Sequence, residues 1–329
     1  MACAGSSDDV TGSAYRASGI ARAKPPGGGA GVPPGAPGGP PTAYGAVTVR
    51  VDVDGVGIEY EVTGDGPPVV LLHGFPDSGR LWRHQVPALV QAGFKVIVPD
   101  MRGYGRSDKP MEVEAYRMHL LVGDVLAVLD AVGVDGSGER AHVVGHDWGA
   151  SVAWATALAA AEHVERLVAL SVGHPATFFG GNFTGHEKSF EQHEKSWYML
   201  LFQFPEIAEE WLSSDDWANF RAWIRHPDAD ACIAELHRNG SLTPGLNYYR
   251  ANIPPKLFLR SGFEVPPVQA PTMGVWSSGD PALTEGQMIR SGSQVAGPWR
   301  YERLDGPGHW MGLEAPDEVN RLLTDFLGG

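Results

Sequence analysis

Residues Val143–Ser151 read VVGHDWGAS, with Asp147 between two spacers and two small residues after an apolar run. This is the outline of a nucleophile elbow, a strand that turns sharply into a helix and exposes the turn residue. Serine usually fills that position. A carboxylate with an ordinary pKa near 4 is already ionised at about pH 7 and needs no base before it attacks. It suits a saturated carbon carrying a leaving group, and the product is an ester on the aspartate. A second step must hydrolyse that ester, which calls for a base to activate water. Asp147 could instead serve only as a helix N-cap; the rest of the constellation decides against that.

A base and an orienting acid are expected later in the chain, in the order nucleophile, acid, histidine. Asp280 in SSGDPAL follows an apolar run, and His309 in GPGHWMG follows the next one. The run VERLVALSV offers another acid position, but SVGHP after it holds no carboxylate. Among the 12 histidines, His73, His146 and His174 sit in tight loops and are expected to hold backbone turns. The remaining eight besides His309 are expected on the surface or in packing. HGFPDSGRLWRH, from His73, follows the third strand, where a loop lends a backbone N–H to an oxyanion hole. Phe75 would supply that donor and Trp148 the second. GYGRSD lacks the glycines of a dinucleotide fingerprint and reads as a structural turn.

These residues need a scaffold that brings distant loops together. VTVRVDVDG and VGIEYEVTG alternate apolar and polar residues and predict two antiparallel strands. PPVVLLHG, FKVIVPD, RAHVVGHD and VERLVALSV are short continuous apolar runs, as strands buried on both faces require. LWRHQVPALVQAG, MHLLVGDVLAVLDAVG and WGASVAWATALAAAE between them predict helices. Strand–helix alternation implies an α/β fold with a mostly parallel central sheet. The rhythm breaks from about Phe178 to Val265, rich in aromatics with helical spacing, and then resumes. The chain therefore divides into a Gly/Pro-rich tail (1–46), an α/β core (47–177 and 266–329) and an inserted helical cap (178–265). The tail, with PPGGGAGVPPGAPGGPP at Pro25–Pro41, gains too little burial to offset ordering entropy and reads as disordered.

The formal net charge of −14 argues against a basic face for nucleic acid or anionic membrane. No apolar run reaches the roughly 18 residues of a membrane span. The two cysteines, Cys3 and Cys232, form no metal spacing, and a reducing, cytoplasmic setting fits. Cys232 is expected to pack in the cap, with no basic neighbour evident. The aromatics of the cap are expected to line a pocket, because its polar faces carry too few basic residues for a membrane-surface helix.

Together HGFP, GHDWGAS, LSVGHP, NYYRAN and GHW resemble the soluble-type epoxide hydrolases of the α/β-hydrolase fold, from about Val47 to the C-terminus. The resemblance implies that Asp147 opens an epoxide and that His309, oriented by Asp280, drives water onto the ester. It also implies two cap tyrosines that hydrogen-bond the ring oxygen. These match Tyr198 in KSWYMLLFQF and Tyr249, by motif register over Tyr248, in GLNYYRANI. Haloalkane dehalogenases share Asp147 and Trp148, but Phe75 has no side-chain donor at a common halide position. Haloacid dehalogenases of the fluoroacetate type share HGFP but have arginine where this chain has Trp148. A binding protein on the same scaffold predicts an eroded triad, and every expected piece is present. The implied partners are a small apolar epoxide and water, a homodimer is compatible, and no cofactor or metal is called for.

Overall fold

A computed structural model of the chain describes residues 46–178, 186–259 and 265–329. Nearly all of the Gly/Pro-rich tail lies outside them. The first elements are β1 (Val47–Val53), β2 (Val56–Thr63), β3 (Pro68–Leu72), α1 (Gln85–Gln91) and β4 (Lys95–Pro99). Then come α2 (Met118–Ala131), β5 (Ala141–His146), α3 (Trp148–Ala159), β6 (Val164–Leu170) and α4 (Pro175–Phe178). The inserted helices are α5 (His186–Lys195), α6 (Trp197–Leu201), α7 (Ile207–Ile224), α8 (Ala229–Arg238) and α9 (Leu242–Asn252). The chain closes with β7 (Thr272–Ser277), α10 (Glu285–Ser291), β8 (Trp299–Leu304), α11 (Met311–Glu314) and α12 (Pro316–Gly328).

The eight strands form one sheet in the order β1-β2-β4-β3-β5-β6-β7-β8. The β1/β2 and β2/β4 pairs are antiparallel and the other five are parallel. Burial explains the sequence patterns. Every residue of β3, β5 and β7 is buried, because helices cover both faces of the sheet there. Edge strand β1 alternates exposed and half-buried positions, so its polar residues face water. Helix α12 buries Val319, Leu322, Leu323 and Leu327, one face at helical spacing. Helix α3 is buried nearly throughout, and its alanines let it lie close against the sheet.

One expected helix differs. LWRHQVPALVQAG is not a single α-helix: Gly79–His84 is a 3-10 turn and α1 begins only at Gln85. Pro87 has no N–H and is tolerated only in the first turn of an α-helix, so the helix starts just ahead of it. The stretch expected to be helical without strands is helical among its described residues. Arg250 on α9 ties it together, pairing with both oxygens of Glu209 on α7 at 2.8 and 2.9 Å and donating to the Phe202 carbonyl at 2.9 Å. Asn252 fastens α9 to the sheet domain, donating to the Tyr116 carbonyl and accepting the Met118 N–H, both at 2.8 Å. Among the described residues no helix is long and apolar enough to cross a membrane.

Candidate active site

Asp147 occupies the turn between β5 and α3 with φ +53° and ψ −122°. That is a strained backbone for a non-glycine residue, of the kind found where a side chain must be presented. The turn closes only because its neighbours are small. A Cβ on Gly145 would lie 2.2 Å from the Gly149 carbonyl oxygen, and one on Gly74 would lie 2.3 Å from Asp147 Oδ1. The bare backbone at Gly74 therefore lets the loop after β3 reach the carboxylate. The Phe75 N–H donates to Asp147 Oδ1 at 2.8 Å. The Trp148 N–H is the first of α3, where no intrahelical acceptor exists, and its nitrogen is packed against Gly74. Asp147 Oδ2 faces His309 Nε2 at 3.6 Å, beyond hydrogen-bonding length.

His309 follows β8, and its Nδ1 donates to Asp280 Oδ2 at 2.9 Å. That bond fixes the proton on Nδ1 and turns Nε2 toward Asp147. Asp280, in the loop after β7, also accepts the Ala282 and Leu283 N–H groups on Oδ1 at 2.8 and 2.9 Å. The Ser171 hydroxyl donates to its Oδ2. Four donors thus surround a fully buried carboxylate. Burial alone would raise the Asp280 pKa, but His309 and these donors hold it below the usual carboxylate range. Burial opposes charge on His309 too, yet Asp280 and Asp147 outweigh it and push its pKa up to about 10. The resting site is therefore an imidazolium between two carboxylates.

The cap supplies the roof. A cavity of about 360 Å³ reaches Asp147 and His309 and is lined above them by Tyr198, Tyr249, Trp223 and Trp197. The NYYRAN stretch explains how Tyr249 arrives there. The two residues before it on α9 face the sheet domain: Asn247 donates to the Met111 carbonyl at 3.0 Å and Tyr248 to the Arg102 carbonyl at 2.7 Å. Tyr249 is left pointing between the layers, with its ring edge-on to Trp148 at 5.0 Å and to Tyr198 at 6.0 Å. Burial and then the Asp147 charge raise the pKa of both Tyr198 and Tyr249 well above the ordinary value. Both hydroxyls are therefore protonated in the resting site.

All seven residues singled out from the sequence (Asp147, His309, Asp280, Tyr198, Tyr249, Phe75 and Trp148) lie at or beside this one cavity. The loop histidines hold backbone, as expected. His73 Nε2 accepts the Met101 N–H at 2.9 Å, and His146 Nε2 donates to the His309 carbonyl at 2.9 Å. Burial lowers the His146 and His174 pKa values to about 4, so both are neutral donors or acceptors.

Other functional groups were not legible in the sequence. Ser171, with φ +76° just after β6, stands at the alternative acid position and touches both Asp280 and, at 3.0 Å, His309 Nδ1. Asp77 accepts a hydrogen bond from Trp310 Nε1 at 2.9 Å. His226, assigned to surface or packing, is a buried partner of Asp77 at 3.1 Å. Cys232 packs in the cap as expected, but it does have a basic neighbour: His226 Nδ1 lies 3.6 Å from its sulfur. Burial and the Asp77 charge push the thiol pKa far up, so Cys232 is an unreactive thiol. The acid in HGFPD stands two residues beyond Phe75, and that spacing was the available signal for Asp77.

Comparison with known proteins gives a consistent result. The family model for the α/β-hydrolase fold matches residues 67–316. Epoxide hydrolase A of Mycobacterium tuberculosis is 35% identical, over 87% of this chain and 98% of that protein. Epoxide hydrolase 3 of Xenopus tropicalis is 30% identical, over 85% of this chain and 77% of that protein. The crystal structure of a Bacillus megaterium epoxide hydrolase in complex with an inhibitor superposes with a TM-score of 0.75 at 28% identity, covering 85% of this chain and all of that one. The fold, the elbow at Asp147 and these likenesses agree: the chain belongs to the α/β-hydrolase fold family, and within it to the epoxide hydrolases.

Proposed function

We propose that the protein converts an epoxide and water to a vicinal diol through a covalent ester on Asp147. Oδ1 is held by the Phe75 amide, Oδ2 is on the His309 side and Asp147 lines the cavity, so Oδ2 attacks a ring carbon. The carbon–oxygen bond of the ring breaks as Tyr198 or Tyr249 donates its hydroxyl proton to the departing oxygen. Esterification removes the charge of Asp147, one of the two that hold His309 protonated. The imidazolium proton then passes through solvent to the tyrosinate, leaving His309 neutral and able to act as a base. His309 Nε2 takes a proton from water, and the hydroxide attacks the Asp147 carboxyl carbon. Charge develops on Oδ1, where the Phe75 N–H already points and the Trp148 N–H lies nearby. Collapse releases the diol and restores the imidazolium between two carboxylates, so protons balance over the cycle.

The observation that carries this reading is the pair of protonated cap tyrosines over the same cavity as Asp147. Halide departure needs no proton donor but does need N–H groups facing the leaving group. The Trp148 indole N–H is instead shared with the Tyr249 hydroxyl, and the Phe75 amide is engaged by Asp147. The domain limits at 178 and 265, a homodimer and a cytoplasmic setting belong to the same proposal; light scattering behind size exclusion reads the assembly. The activity is tested by a paired assay of purified protein, with diol formation from aryl and alkyl epoxides and halide release from alkyl halides and haloacids. Diol without halide supports the proposal, and halide without diol overturns it.

A further inference from the structure

Asp77, His226 and Cys232 gather in a buried cluster where the loop after β3 meets the cap. The three residue types could hold a metal ion, but the imidazole bridges its neighbours rather than converging with them. Nε2 donates to Asp77 Oδ1 at 3.1 Å, while Nδ1, on the other side of the ring, accepts the Asp228 N–H at 2.8 Å. A ring engaged on both nitrogens offers no free lone pair to a cation. It acts as a strut between cap and core.

The other end of the strut is a junction. Asp77 Oδ2 accepts Trp310 Nε1–H at 2.9 Å, so one buried carboxylate joins three segments. The first is its own loop, whose Phe75 N–H holds Asp147. The second is the cap, reached through His226. Three residues before His226, Trp223 packs its ring on Tyr198 at 4.8 Å. The third is the base loop, where the Trp310 ring stands edge-on to His309 at 4.8 Å and to His226 at 4.5 Å. The cap arm ends at a proton donor for ring opening, and the base arm ends at the base for ester hydrolysis. An ionised carboxylate can accept both N–H donors, one on each oxygen. An asparagine would turn an NH₂ group toward one of them.

We propose that Asp77 is a positioning residue for both chemical steps: through His226 it sets the cap tyrosine over the epoxide, and through Trp310 it sets His309 against the ester. This rests on the two-step reading above. The two arms are separable. Rapid-quench intact-mass measurements with styrene oxide report ester formation and ester decay in a single turnover. His226→Phe removes the cap arm's hydrogen bond to Asp77 but keeps a ring against Trp310, and is expected to slow ester formation about tenfold or more, since misplacement by ~1 Å can cost up to about a hundredfold. Ester decay in that variant stays within about threefold of wild type. Trp310→Phe removes the base arm's hydrogen bond to Asp77, keeps a ring against His226 and His309, and gives the reverse pattern. Asp77→Asn slows both steps. His226→Gln keeps an N–H donor and recovers ester formation, which covers poor folding of the phenylalanine variant.

A purely structural role for Asp77 predicts that His226→Phe and Trp310→Phe each slow both steps in the same proportion, or slow neither, and either result overturns the proposal. If wild type forms no adduct with epoxides, the epoxide reading is what fails. The same two phases are then read with n-butyl bromide, which alkylates the same carboxylate, and the pattern across variants still decides the role of Asp77.

Discussion

Replacing Gly74 by alanine tests how the site is built more sharply than removing a catalytic side chain. The new Cβ would lie 2.3 Å from Asp147 Oδ1, 2.6 Å from Asp147 Cβ and 2.6 Å from the Trp148 nitrogen, where ordinary contact begins at 3.4 Å. Loop and elbow must therefore part by about 1 Å. The elbow cannot yield, because Trp148 opens a buried helix and Asp147 is already held in a strained turn. The loop moves instead, and the Phe75 N–H to Oδ1 bond stretches from 2.8 Å to well beyond hydrogen-bonding length. Loss of one oxyanion donor is worth about 3–4 kcal/mol, or roughly 10²–10³ in rate. The loss falls on ester hydrolysis, where charge develops on Oδ1. Rapid-quench intact mass should show the Asp147 ester accumulating in Gly74→Ala while circular dichroism remains native. Ester decay within about threefold of wild type in a folded variant would refute the assignment of the Phe75 amide to the oxyanion.

The remaining predictions use other parts of the site. His309→Gln should leave ester formation measurable and stop its decay, so an adduct persists in the mass spectrum. Tyr198→Phe and Tyr249→Phe should each slow ring opening, and the double variant should lose about 10²–10⁴, the usual worth of a general acid; a double variant of full activity would place the proton donor elsewhere. Because Asp147 helps raise the His309 pKa toward 10, imidazole NMR should find that pKa lower in Asp147→Asn than in wild type. The same shift has a stability consequence. A histidine whose folded pKa is raised contributes stability that is complete below its unfolded pKa of about 6.5 and lost as pH rises toward 10. The gap in Tm between wild type and His309→Gln should therefore narrow from pH 6 to pH 10, and a gap that widens would contradict the charge assignment.

Much of this architecture was legible because its constraints are local. An apolar run ending in GHDWG demands small residues wherever strand and helix crowd, and Gly145 makes such a close approach. The motif register that selected Tyr249 over Tyr248 has a physical basis in the helix. Neighbours on α9 point to different layers, and Tyr248 is tied to the Arg102 carbonyl. What could not be read depends on distant segments meeting. Ser171 and Asp280 are 109 positions apart, and Asp77 and His226 are 149 apart. No periodicity or spacing records such pairs. The misjudged helix after HGFP is of another kind, since its apolar spacing is helical but Pro87 delays the α-helix to its own first turn.

The central claim is that the oxygen entering the product comes from Asp147 and that water replaces it in the carboxylate. A single turnover of excess enzyme in heavy-oxygen water, followed by mass spectrometry of the Asp147 peptide and of the diol, tests it directly. The two-step account predicts label in the Asp147 carboxylate and an unlabelled diol from that first turnover. Label in the diol with none in the peptide would mean that water attacks the epoxide directly and that Asp147 acts only as a base.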